Sequence, residues 1–275
     1  MIQILSHERP RRPTPFTRAV CLLAAAQIAC MGLSATCAAQ AVQPREALED
    51  AKLYFTAPLR WDQRDWLEFG GTLVVLGIAH QYDDDVRTHF VKNSSDALSG
   101  KDSNSASDAL PAAILVAGTW ILAGALDDPG GYRELGSMLE ATVLSAASTE
   151  ILKYATGRQR PNETADPNKW FSGGDSFASL HASAAFAIGT VFAESGDDKY
   201  RWLRRFVGYG VAGVTAYSRV EHNAHWTSDV LAGAALGLST ANFTMNRRDG
   251  TPSSTSAMLV PVDRGLMLTF LVPLH

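Results

Sequence analysis

The stretch "DSFASLHASAAFAIG", Asp175 to Gly189, decides the fold. Asp175, Ser176 and Ser179 each carry a side-chain oxygen able to accept from the unpaired N–H groups at a helix start, and His181 follows within the first turn. Behind them come alanines, other small residues, Phe186 and Ile188. The segment therefore reads as a helix with a polar head and a body narrow enough to be packed closely by other helices.

Outward from it, apolar runs bounded by caps and breakers place helices near Asp65–Gln81, Asp108–Leu126, Glu134–Thr156, Ser179–Glu194, Trp202–Tyr217 and Trp226–Met245. The breakers are "DDPGG" at 127–131 and "ESGDD" at 194–198. Residues 82–107, rich in Asp, Ser, Asn and Lys, read as an exposed polar connection. Strand alternation is scarce until "AMLVPVDRGLMLTFLV", whose two β-prone runs around Asp263, Arg264 and Gly265 predict a C-terminal β-hairpin within 255–273. The expected fold class is all-α, a bundle of about six helices with a core near 108–245.

Residues 1–39 read as a secretory signal peptide, to be cut after Ala39: Arg9, Arg11, Arg12 and Arg18 precede the uncharged run Ala19–Leu33 and the small residues of "ATCAAQ". Residues 40–275 are then one expected domain, exported to the periplasm or cell envelope. All three cysteines, Cys21, Cys30 and Cys37, fall in this leader, which excludes a disulfide framework, cysteine zinc sites and thiol catalysis from the mature protein. The full chain has 24 basic and 28 acidic residues; without the leader's four arginines and one glutamate, 20 and 27 remain, a net of −7. So acidic a protein is not expected to bind nucleic acid. Leu110–Leu126 runs 17 residues without a charge, somewhat short of the about 20 that span a bilayer. Its length fits a buried core helix as well as membrane association.

Three polar clusters interrupt the helices. In "KYATGRQRP", Lys153 to Pro161, Lys153 and Arg158 suit a helix C-terminus as ordinary charges, whereas Pro161 forces Arg160 into an extended conformation and fixes its direction. Lys153 and Arg160 can converge on one anion, the arginine as a planar fork and the lysine as a point charge. In the opening stretch, the helix N-terminus is itself an anion site, and His181 faces it. In "YSRVEHNAHWTSDVLAG", Tyr217 to Gly233, Arg219 adds a third cation. His225 and Asp229, four apart, share a helix face on which a carboxylate can orient the imidazole.

Together these positions resemble the type 2 phosphatidic acid phosphatase (PAP2) family, whose superfamily includes bacterial acid phosphatases and vanadium haloperoxidases. The pattern is Lys153, then Arg160-Pro161; Ser179 and His181; Ser218-Arg219, His225 and Asp229. It extends over roughly Asp108 to Asn242. The resemblance implies a phosphatase acting on phosphate monoesters, lipid phosphates such as phosphatidic acid among them, through a phosphohistidine intermediate. His225 is then the nucleophile, Asp229 its orienting carboxylate and His181 the proton donor; Lys153, Arg160, Ser179 and Arg219 bind the phosphoryl oxygens. No cofactor or metal is expected, since three cations would repel a metal at His222, His225 and Asp229, and vanadate is expected to inhibit as a phosphate mimic. His222 is read as a rim residue. The family's Pro-Ser-Gly-His is here Ala178-Ser179-Leu180-His181, so Leu180 stands at the pocket rim where glycine usually lets backbone approach the ligand. The same resemblance leaves two other functions open, a vanadium-dependent haloperoxidase and a weakened enzyme that binds phosphate headgroups.

Overall fold

The computed structural model describes residues 44–93, 105–126, 128–196, 198–249, 256–262 and 265–271. The expected signal peptide lies outside the described residues. Eight α-helices are described: α1 (Pro44–Phe55), α2 (Gln63–Gln81), α3 (Asp83–Asn93), α4 (Ser105–Leu126), α5 (Pro129–Thr156), α6 (Leu180–Glu194), α7 (Arg201–Glu221) and α8 (Thr227–Asp249). Strands β1 (Ser256–Val262) and β2 (Gly265–Leu271) pair antiparallel, with Val262 opposite Gly265, as the two β-prone runs predict. The turn that joins them lies outside the described residues.

The six expected helices are all present, and their ends are set by local chemistry. Asp128 caps α5 by accepting from Gly130 N at 2.9 Å and Gly131 N at 3.1 Å, with Pro129 at the first position, so this helix starts five residues before Glu134. Gly157, at φ 52°, ends it. Of the three possible caps in the opening stretch, Ser179 takes the role for α6: its Oγ accepts from Ala182 N at 3.4 Å. Asp175 and Ser176 are used elsewhere.

Within the expected exposed connection 82–107, the described residues 83–93 depart from that reading. Residues 83–93 form α3, and Asp83 is only 1% exposed. A carboxylate enters such a place when donors meet it there, and these come from Arg158 and Ser228, far along the chain. α1, too, has no counterpart among the expected helices.

α6 lies at the centre, packed by α4, α5, α7 and α8. Its Ala-rich body allows this, and glycines complete it. A Cβ on Gly189 would lie 2.4 Å from the Gly208 carbonyl oxygen on α7, and one on Gly237 of α8 would lie 2.4 Å from the Ser183 carbonyl oxygen. Two backbones so close tolerate no side chain between them. The buried core is accordingly small and partly polar: Ala182, Ala185, Ala187, Ala212 and Ala241 alternate with Ser183, Thr190, Thr215 and Thr240. Most of the larger apolar side chains of α4 point outward instead, with Leu110, Ile114, Ile121, Leu122 and Leu126 all exposed, while Leu115 and Val116 pack against the core. Because α5 through α8 run alternately up and down, the C-termini of α5 and α7 meet the N-termini of α6 and α8 at one end of the bundle. The three polar clusters of the sequence are at those four ends.

Candidate active site

The turn between α7 and α8 carries the central histidine. Asn223 takes a left-handed φ of 54°, which asparagine tolerates, and the N–H groups of Ala224 and His225 both return to the Arg219 carbonyl, at 3.1 and 3.2 Å. This tight reversal buries His225 to 2% exposure. Its Nδ1 lies 2.9 Å from the Ser176 carbonyl oxygen. A carbonyl only accepts, so Nδ1 carries the proton and Nε2 keeps the lone pair.

Asp229 behaves differently from the expected direct orienting partner. Its Oδ2 is 3.8 Å from His225 Nδ1. That oxygen instead accepts from the Ser176 hydroxyl at 2.5 Å and Trp226 N at 3.0 Å, while Oδ1 accepts from Arg158 at 2.5 Å. Ser176 thus binds both groups, its carbonyl holding the ring and its hydroxyl tying down Asp229. The reason is geometric: the Nδ1–H is aimed at the Ser176 carbonyl, so Asp229, 3.8 Å from Nδ1, meets the ring by charge at close range and not by a hydrogen bond. The Asp229 carbonyl in turn accepts from Ser179 N at 3.0 Å, which locks the starts of α6 and α8 together.

The three expected phosphate-binding cations are all near this histidine, and each has an acidic partner. Arg160 makes a two-pronged pair with Asp175, Nε to Oδ1 at 2.7 Å and Nη2 to Oδ2 at 3.0 Å. Arg219, 3% exposed, donates to Asp108 at the start of α4. Lys153, 6% exposed, lies 3.6 Å from Glu150. His222 reaches the same Asp108 carboxylate, 3.6 Å away, at the rim. His181 is in the first turn of α6, directly after half-buried Leu180.

Burial, and then the charges of Arg160, Arg219, Lys153 and His181, hold the His225 imidazole well below its ordinary value of 6.5, so the ring is neutral at neutral pH. Burial alone would raise the Asp175 carboxyl, but the Arg160 hydrogen bonds and charge, helped by the Lys153 charge, hold it below the usual carboxylate range. The Asp229 carboxyl is pushed up by burial, against the pull of Arg158, Ser176 and Trp226 N. A neutral imidazole with a free lone pair, set among three cations and a second histidine, is suited to attack an anionic phosphoryl group.

Residues 134–250 match the model of the PAP2 superfamily. This segment belongs to that family. It contains Lys153, Arg160, Ser179, Leu180, His181, Arg219, His222, His225 and Asp229, so every site residue expected from the sequence falls inside the PAP2 segment. A lipid A 1-phosphatase of Porphyromonas gingivalis is 36% identical over 113 residues, which is 40% of this chain and 23% of the relative. The chain thus spans less than a quarter of the length of that curated relative. No solved structure matches it.

Sequence reasoning missed four side chains that hold the PAP2 residues in place. Asp108 and Asp175 pair with Arg219 and Arg160, and neither pairing is visible from spacing. Arg158, read as an ordinary helix-end charge, is fully buried against Asp229. Asp83, behind Arg158, comes from the supposed polar connection. The available signal was the first arginine in "GRQRP", two residues before Arg160.

Proposed function

We propose that the chain is a phosphatase that removes phosphate from a lipid-borne monoester by two successive in-line transfers. The observation that carries this reading is the neutral His225, its Nδ1–H held by the Ser176 carbonyl, next to Lys153, Arg160, Arg219 and His181. In the first step Nε2 of His225 attacks phosphorus, the P–O bond to the leaving alcohol breaks, and His181 gives that oxygen a proton. In the second, water attacks the phosphohistidine, His181 takes a proton from it, and the P–N bond breaks to release inorganic phosphate. Lys153, Arg160, Arg219 and the N–H groups at the start of α6 hold the non-bridging oxygens as charge redistributes, with no metal required.

A lipid substrate is supported by the relative's activity on lipid A and by the apolar side chains that α4 exposes. The window Asp108–Leu126 is 19 residues long and only 17% buried, an exposure that suits lipid better than water. We place this helix in a membrane of the cell envelope, reached by export with residues 1–39 as leader and 40–275 as the working domain. The test is phosphate release from dispersed lipid A and phosphatidic acid, with p-nitrophenyl phosphate as the soluble control, in excess chelator and with or without vanadate. Turnover that survives chelator and stops with vanadate supports the proposal; strict dependence on an added metal overturns it. Extraction of the protein from membranes by salt alone overturns the placement of α4.

A further inference from the structure

Arg158 is fully buried, and all five of its N–H donors are occupied. Nη1 donates to Asp229 Oδ1 at 2.5 Å and to Ser228 Oγ at 2.8 Å. Nη2 donates to Asp83 Oδ2 at 2.7 Å and to the Pro167 carbonyl at 2.9 Å, and Nε reaches the same carbonyl at 3.1 Å. The rings of Trp170 and Trp226 face the guanidinium, 4.4 and 5.2 Å from its central carbon. No donor is left for a phosphate oxygen, so Arg158 differs in kind from Arg160, two residues on.

Asp83 anchors the other side. Its Oδ1 accepts from Ser228 N at 2.9 Å and its Oδ2 from Ser228 Oγ at 2.6 Å, which fastens α3 to the first turn of α8 one residue before Asp229. His80 Nδ1 lies 3.1 Å from Asp83 Oδ2 and 3.0 Å from Arg158 Nη2, and its Nε2 faces Asn168 at 3.0 Å. Asp83 precedes the segment that matches the PAP2 superfamily, and Arg158 is none of the residues to which the resemblance gives a role.

A carboxylate with no exposure and no cation would take up a proton rather than remain charged. Arg158 supplies that cation to Asp229 and fixes which oxygen it meets, leaving Oδ2 to Ser176. We propose that Arg158, held in place by Asp83, is a positioning residue that keeps Asp229 ionised and aimed at Ser176 beneath His225. The charged and titratable groups facing Asp229 are Arg158 and Arg160 from the loop after α5, His225 from the turn before α8, and Asp83 with His80 from α3 and α2. Arg158 and Asp83 therefore act on Asp229 with opposite sign.

The proposal rests on the phosphatase reading, and its test separates the two. In the full-length protein, Arg158→Gln is expected to lower kcat by about tenfold or more, with KM within about threefold of the parent, and to move the acid limb of the pH–rate profile up by about 1–3 pH units, the usual effect of removing a close opposite charge. Asp83→Asn moves the same limb to lower pH, and Arg158→Lys, which retains the charge, returns it toward the parent. A carbon-13 titration of the Asp229 carboxyl, assigned by its loss in Asp229→Asn, reads the same shifts without turnover. If the parent hydrolyses no phosphate ester, the phosphatase reading fails while this titration still tests the clamp. A carboxyl that titrates as in the parent in both Arg158→Gln and Asp83→Asn overturns the proposal. So does a Arg158→Gln protein whose KM and vanadate inhibition weaken at unchanged kcat, because Arg158 would then be a phosphate ligand. Should Arg158→Gln fail to fold, Asp83→Asn and Arg158→Lys carry the same test.

Discussion

The Ser176 carbonyl oxygen accepts a hydrogen bond from His225 Nδ1 at 2.9 Å, and this main-chain contact sets the tautomer of the proposed nucleophile. Asp229, 3.8 Å from the same nitrogen, is not its hydrogen-bond partner and is itself tied down by the Ser176 hydroxyl. Ser176→Ala keeps the carbonyl and loses only the hydroxyl that donates to Asp229. One hydrogen bond to a charged group is worth about 1.5–3 kcal/mol, so kcat should fall about 10- to 100-fold. His225→Ala removes the attacking atom, and its turnover should fall by about 10⁴-fold or more while vanadate still binds. Steady-state rates on p-nitrophenyl phosphate with vanadate titrations check both. A His225→Ala protein that keeps the parent's rate would end the nucleophile assignment.

His225 also ties stability to pH. Folding holds its imidazole neutral well below the ordinary value of 6.5. Above about pH 6.5 the ring is neutral in the folded and unfolded chains alike. Below it, only the unfolded chain takes up the proton, so stability falls as pH falls until the folded-state value is passed. Asp175, held low by Arg160, loses its contribution in the same direction but only below the ordinary carboxylate range, whereas Asp229, pushed up by burial, works in the opposite direction. One proton contributes at most about 1.4 kcal/mol per pH unit, or about 3–5 °C of melting temperature for a domain of this size. Melting temperature should therefore drop between pH 6.5 and 5, and His225→Asn should flatten that slope. Equal slopes in the parent and His225→Asn proteins would mean that the ring is not held neutral.

What the sequence showed and what it hid divide along physical lines. The helices were readable because an Ala-rich run such as Ala182–Gly189 between a serine cap and Gly196 has few other ways to pack. The residues from Lys153 to Asp229 were readable because their spacing recurs as a pattern. Asp83 was not, since "DDD" reads as a solvated helix start, and its burial depends on an arginine 75 residues away. The partner of His225 was misread for a related reason. A spacing of four favours Asp229, but the atom that meets Nδ1 is a main-chain carbonyl 49 residues away, and a carbonyl leaves no mark in residue type.

Arg160 and Asp175 form the most exposed of the three cation pairs in the site, with side chains 23% and 49% exposed. Asp175 takes two of the five Arg160 N–H groups, so a phosphate that meets the others does so beside a carboxylate that repels it and draws on the same positive charge. Exposed pairs of this kind are worth up to about 1 kcal/mol, so Asp175→Asn should lower KM for phosphate esters, and the vanadate inhibition constant with it, by up to about fivefold. Its kcat should change little. A higher KM together with a lower kcat would show instead that Asp175 aims Arg160 at the transferring group.

Leu180 occupies the position where PAP2 relatives usually carry glycine, and its backbone does not need one. Among the described residues only Phe171 and Asn223 are non-glycine residues with positive φ, so Leu180 is in ordinary helix-start geometry. Its expected effect is then one of volume: a half-buried isobutyl group next to Ser179 and His181 would narrow the approach to the phosphate. Leu180→Gly should cost no more than about 1 kcal/mol of stability, the usual helix penalty for glycine. In return, kcat/KM should rise by about threefold or more on bulky lipid phosphates, with a smaller change on p-nitrophenyl phosphate. Comparison of the two substrates in parent and variant decides the matter. An equal change on both would place the effect of Leu180 on the phosphoryl group itself rather than on the room left for the leaving alcohol.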